Sequence, residues 1–243
     1  MKNIMLFNDN WSFLKTELGS ELSGIKGQEG KFQPVDLPHD WLIYNTHNLY
    51  ENSTGWYRKC ITVCLISDEA RKETEPGNDA DTLCLMPGER AILRFDGVYM
   101  DSTFYVNRQK VGDWKYGYSA FDYDITEYLQ PGENELLMQV RYQSPNSRWY
   151  SGAGIYRNVW LKVCPIAYLP LDGTYVHTAW QQDSSGQNGS YQLEIETECA
   201  GAIGEDTRCH YSLWQQEEQV RDLGWGELFT RADGQLCFAL KIL

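Results

Sequence analysis

Apolar and polar residues alternate with a period of two along most of the chain, and the 3.6-residue spacing of amphipathic helices is almost missing. Residues 57–66 set Ile61, Val63 and Leu65 on one face of an expected strand. Residues 91–95 form the next, ending at Asp96-Gly97. Residues 103–106 and 111–114 flank Asn107-Arg108-Gln109-Lys110, which predicts a hairpin with an Asn-initiated turn. A short strand is expected over 121–125, with a helical turn over 124–129, and Pro131-Gly132-Glu133-Asn134 is a turn by composition. Residues 136–142 and 159–163 then flank a long loop.

Short strands separated by Gly/Pro turns predict an all-β fold, a sandwich or jelly roll over residues 1–165. The polar stretch 67–82 is expected as a solvated excursion between strands. After Cys164-Pro165 the texture changes. Residues 181–190 form an expected loop, and strands are expected at 174–180, 191–197, 208–215 and 235–242. This second region, 166–243, predicts an immunoglobulin-like β-sandwich. Such domains run to about 100 residues, so the expectation is an incomplete domain in which the chain stops.

Composition narrows the function. The chain has 243 residues and a formal net charge of −13, which disfavours nucleic acid and anionic membrane as partners. Seven cysteines show no C-x-x-C pair, so reduced, mostly buried thiols are expected, including Cys60 and Cys64 on one strand face. Asn8, Asp9 and Asn10 interrupt the N-terminal apolar run, so neither a signal peptide nor a membrane span is expected, and the location implied is cytoplasmic.

The long loop, residues 144–158, carries most of the chemistry. It reads SPNSRWYSGAGIYRN, with Arg148, Arg157, Trp149, Tyr150 and Tyr156 among residues that are otherwise small. Gly152 and Gly154 allow tight backbone turns. Aromatic faces beside guanidinium and amide groups suit a sugar, whose C–H faces stack on rings and whose hydroxyls meet planar donors and acceptors.

Motifs in order along residues 7–164 resemble the sugar-binding domain of glycoside hydrolase family 2, the β-galactosidase and β-glucuronidase family. They are Asn10-Trp11-Ser12-Phe13, Val35-Asp36-Leu37-Pro38-His39-Asp40-Trp41, Gly55-Trp56-Tyr57-Arg58 and Leu93-Arg94-Phe95-Asp96-Gly97-Val98 with Phe104-Tyr105-Val106-Asn107. Gly117-Tyr118-Ser119-Ala120-Phe121 with Asp124-Ile125-Thr126, Pro131-Gly132-Glu133-Asn134, and Gly154-Ile155-Tyr156-Arg157-Asn158-Val159 complete the series. The fold implied is a galactose-binding-domain-like jelly roll, followed by the family's first immunoglobulin-like domain. In structural terms, Trp11, Phe13, Trp41 and Phe95 are expected in the core, and His39 and Asp40 are expected to cap a local turn.

The resemblance implies that the parent protein is a retaining glycosidase, whose two catalytic carboxyl groups, about 5 Å apart, lie on a (β/α)8 barrel that needs about 250 further residues. The chain is therefore expected to hold no catalytic residue, metal or cofactor of its own and to be inactive alone, with the barrel of the same polypeptide as its partner. Asn134-Glu135 matches the dipeptide of the family's acid/base but sits at a surface turn entering a strand. Asp122 and Asp124 are too few for the six to eight oxygens of a calcium site. The family loop matching 143–158 helps bind the terminal sugar, which implies Arg148, Trp149, Tyr150 and Asn158 as substrate-binding residues, with Asn52 and Asn146 beside them. The family often has aspartate where Asn158 stands, and bracing of the domain is the alternative role for Asn158 and the favoured one for Arg157. A β-galactoside or related glycoside is the implied ligand. A free-standing carbohydrate-binding module or lectin, or a purely structural module, are the competing readings, and homo-oligomerisation is left open.

Overall fold

The computed structural model describes residues 4–67, 81–182 and 189–242. Most of the stretch 67–82 and the middle of 181–190, expected as surface excursion and loop, lie outside the described residues. The chain divides into two compact units, Met1–Cys164 and Pro165–Leu243, one residue before the boundary expected from the sequence.

The first unit is a jelly-roll sandwich. One sheet orders its antiparallel strands Ile4–Leu6, Val159–Cys164, Arg90–Phe95 and Phe121–Asp124. The other runs Gln33–Val35, Trp11–Thr16, Ser53–Leu65, Gly132–Tyr142, Ser102–Val106 and Gln109–Trp114. Thr82–Leu85 adds to the far end of Ser53–Leu65 in parallel, a strand the sequence pattern does not announce. Alternation decides which side chains meet between the sheets. Along Ser53–Leu65, Tyr57, Ile61 and Val63 point into the core while Cys60 and Thr62 face out. Leu65, expected to share the inner face, is 65% exposed at the end of the strand. Trp11, Trp41 and Phe95 are buried in this core, with Phe13 packed against it.

The outer face of the long central strands is also covered. Trp56 and Leu137 point away from the main core and are fully buried against Ile25, which a 3-10 turn, Leu22–Ile25, lays over them. Gln139, buried beside them, donates to the Ser20 carbonyl at 2.6 Å. A strand buried on both faces thus arises from a segment with no helical period of its own.

Two further expectations change. Residues 132–134 belong to the strand Gly132–Tyr142, because the Asn134 side chain is buried and knots the preceding bend: it accepts from the Gln130 amide at 2.9 Å and donates to the Gln130 carbonyl at 2.7 Å. Cys60 is exposed and Cys64 half-buried, since both fall on the outward parity of their strand, whereas Cys164, Cys199 and Cys237 are buried. None of the seven cysteines, all of them among the described residues, is in a disulfide. The hairpin at Asn107-Arg108 forms as expected, with φ of 49° and 64° at these residues, the left-handed pair a two-residue turn requires.

The second unit is an immunoglobulin-like sandwich. One sheet orders Thr174–Gln182, Gly189–Glu198, Leu236–Ile242 and Glu227–Thr230. His210–Gln215 and Glu218–Trp225 form a separate hairpin, of which the sequence pattern shows only the first strand. Ile195, Cys199, Cys237 and Phe238 are buried in this unit.

Candidate functional site

The loop between Gly132–Tyr142 and Val159–Cys164 is held at several points rather than hanging free. At its entry the Ser144 amide donates to Asn52 Oδ1 at 2.5 Å. Asn146 closes the first bend by donating to the Gln143 carbonyl at 2.8 Å, and its Oδ1 accepts from the Tyr99 hydroxyl at 3.3 Å. Asn52 and Asn146 therefore shape the loop from its two sides.

The tip carries Arg148, Trp149 and Tyr150, all exposed. Trp149 is 60% exposed, yet its indole N–H donates to the Tyr118 hydroxyl at 3.1 Å. Tyr118 meets Tyr116 and Tyr99 edge-on, at ring separations of 5.7 and 5.2 Å. The Tyr156 hydroxyl donates to the Gly117 carbonyl at 2.8 Å and ties that neighbouring segment down. An aromatic surface thus forms from two loops. Arg148 is exposed at the same tip.

Asp40 sits beneath the loop. One carboxylate oxygen accepts from the Leu42 and Ala153 amides, each at 3.0 Å, and the other accepts from the Tyr150 hydroxyl at 2.5 Å. Next to it, buried His39 pairs through Nδ1 with the Tyr57 hydroxyl at 2.8 Å. Burial lowers the His39 imidazole from its ordinary value against the opposing pull of Asp40, so the ring is neutral. Burial also raises the Tyr57 phenol, and burial together with the hydrogen bond to Asp40 raises that of Tyr150. Both hydroxyls stay protonated and remain donors. Gly154, at φ +132°, lies against the His39 carbonyl and the Tyr57 hydroxyl, where a Cβ has no room.

Asn158 is placed differently from the loop tip. Its Oδ1 accepts from Asn8 Nδ2 at 3.0 Å, Asn8 Oδ1 in turn accepts from the Val159 amide at 2.9 Å, and the Asn158 carbonyl accepts from the Asp96 amide at 3.0 Å. Arg157 lies over the Tyr156 ring at 5.2 Å. Glu135, of the Asn134-Glu135 dipeptide, is ion-paired with Arg58 at 2.8 Å and Arg108 at 3.1 Å. Asp122 and Asp124 pair with Arg94 and Arg90.

Sequence reasoning singled out Arg148, Trp149 and Tyr150, which lie together at the exposed loop tip. It missed Tyr118 as a partner of Trp149 and gave Asp40 only a local turn. Asp40 does cap that turn, at Leu42, but its longer reach spans 110 residues to Tyr150.

The first unit is thus a jelly-roll β-sandwich with an exposed aromatic loop. Residues 83–165 match the family described as "Glycosyl hydrolases family 2, sugar binding domain". Beta-galactosidase BoGH2A of Bacteroides ovatus is 36% identical over 187 residues, covering 71% of this chain and 19% of its own. A beta-galactosidase of Thermoanaerobacter pseudethanolicus is 28% identical over 213 residues, covering 82% of this chain and 25% of its own. Among solved structures, a glycosyl hydrolase family 2 member from Bacteroides cellulosilyticus is similar at a TM-score of 0.58 and 27% identity, over 86% of this chain and 26% of that one. The fold is also that of a Bifidobacterium dentium beta-glucuronidase, at a TM-score of 0.71 and 16% identity over 98% of this chain and 41% of that one. The chain belongs to glycosyl hydrolase family 2 through this sugar-binding domain. It spans between 19% and 25% of the length of the two curated relatives named. Among the described residues no helix is long and apolar enough to cross a membrane.

Proposed function

We propose that this chain is the non-catalytic N-terminal region of a family 2 glycoside hydrolase, a β-galactosidase, and that its 144–158 loop forms one wall of the sugar subsite. The observation that carries this is the loop tip: exposed Trp149 and Tyr150 are held by Tyr118 and Asp40, and the preceding residue, Arg148, is exposed as well. A ring surface fixed before binding loses little conformational freedom when a sugar stacks on it. Arg148, Trp149 and Tyr150 are the proposed contacts. Asn146 and Asn52 keep the loop in shape, and Asn158, engaged by Asn8, braces the sandwich. The hydrolytic carboxylates are assigned to a barrel elsewhere in the polypeptide, so this chain contributes binding and not bond cleavage.

Titration of the 243-residue chain with methyl β-D-galactopyranoside tests the reading. Trp149→Ala is expected to weaken binding roughly fivefold, the worth of about 1 kcal/mol of lost aromatic contact. An unchanged affinity sinks the loop as a sugar contact. Binding tighter than about 1 mM would favour the free-standing lectin instead, because half a subsite leaves much of the ligand in water.

A further inference from the structure

The 144–158 loop has one anchor whose chemistry differs from the rest. Asn52, Asn146 and Tyr118 hold it through neutral groups, whereas Asp40 offers a carboxylate. That carboxylate reaches the backbone at Ala153 and the side chain at Tyr150, both at hydrogen-bonding distance. The space above it is reserved as well: a Cβ at Gly152 would come within 2.8 Å of Asp40 Oδ2, and Gly152 already holds φ +75°. Asp40 is itself fixed, since its first oxygen also caps Leu42 and its neighbour His39 is buried against Tyr57. A charge-assisted hydrogen bond holds geometry more firmly than a neutral one.

We infer that Asp40 is a positioning residue for sugar recognition, aiming the Tyr150 ring, and with it the adjoining Trp149 and Arg148, from a separate segment 110 residues away in sequence. The inference rests on the proposed role of the loop in a sugar subsite. It does not make Asp40 a ligand: its two oxygens are already taken by Leu42, Ala153 and Tyr150.

Asp40→Asn separates the contacts. An amide oxygen can still accept from Leu42 and Ala153, but an amide nitrogen cannot accept the Tyr150 hydroxyl and can only donate to it, so the charge-assisted bond is lost. Tyr150→Phe deletes the same bond from the other side. Arg148 is exposed, so tryptic cleavage after it, followed by mass spectrometry, reports the loop without any sugar. Cleavage is expected to accelerate about tenfold in each single variant, the size of one lost hydrogen bond to a charged group, and no further in the double variant. Thermal unfolding should stay as in the parent chain. The Tyr150 phenol should also ionise at lower pH in Asp40→Asn than in the parent, read as the difference from the matching Tyr150→Phe chains.

Unchanged cleavage in Asp40→Asn, or additive effects in the double variant, overturns the inference. Affinity for methyl β-D-galactopyranoside should fall equally in the two single variants. Faster cleavage with unaltered sugar affinity instead sinks the sugar-subsite reading and leaves Asp40 as the anchor of the loop.

Discussion

Replacing Gly154 by Ala should damage this protein far more than a one-carbon change suggests. Gly154 pairs with Tyr99 in a two-residue ladder, holds φ +132°, and faces the His39 carbonyl and Tyr57 hydroxyl. Two costs combine. An L residue in that backbone region costs about 1–3 kcal/mol. The new methyl group also meets backbone and a buried ring that cannot withdraw, which costs about 1–3 kcal/mol more. The sum, roughly 2–6 kcal/mol, is only slightly offset by the stiffer unfolded chain, about 0.4–1 kcal/mol. For a unit of this size each kcal/mol moves Tm by about 2–4 °C, so a fall on the order of 10 °C is expected. Gly132→Ala is the control: it too has a positive φ, +92°, but nothing lies within 4 Å of its missing Cβ. Near-ultraviolet circular dichroism during thermal unfolding reports the aromatic core of the first unit. Equal shifts in the two variants would refute the packing argument and leave backbone strain as the whole effect.

Other outcomes follow from the same geometry. His39 is held below its ordinary value of 6.5, so its contribution to stability is complete above that pH and is lost as pH falls through the folded value; His39→Gln should flatten that part of a denaturation-versus-pH curve, and parallel curves would contradict it. Lys59, 2% exposed, donates to the Asp9 carbonyl at 2.8 Å, pairs with Asp81 and lies 4.6 Å over the Phe7 ring. Lys59→Ala should cost about 3–5 kcal/mol by urea titration, and a loss under 1 kcal/mol would mean that solvent already reaches the pair. Trp149→Ala should change stability by no more than about 0.5 kcal/mol in the same titration, because the ring is largely in water; a larger loss would make it structural.

Much of the sandwich was legible because its central strands alternate cleanly. Tyr57, Ile61 and Val63 share a parity, and that parity is the buried one. Thr82–Leu85 escaped because it is four residues long, follows a polar stretch and pairs in parallel with a distant segment. The covering of Trp56 and Leu137 by Ile25 was hidden because a 3-10 turn carries no periodic pattern. The site divides in the same way. Arg148, Trp149 and Tyr150 stand out as unusual residues for a loop, so composition alone marks them as candidates. Tyr118 and Asp40 look like ordinary members of strand-edge and turn motifs. Their roles come from contacts 31 and 110 residues away, which no local pattern contains.

The central claim is that the 144–158 loop is a sugar-facing wall in a chain that does no hydrolysis. An amide and indole chemical-shift map of the 243-residue chain, titrated with methyl β-D-galactopyranoside and then offered a chromogenic β-galactoside, tests it directly. The account predicts shifts gathered at the Trp149 indole, the amides of residues 146–151 and Tyr118, with no turnover. Shifts gathered elsewhere, no shifts at all, or release of the chromophore would contradict it.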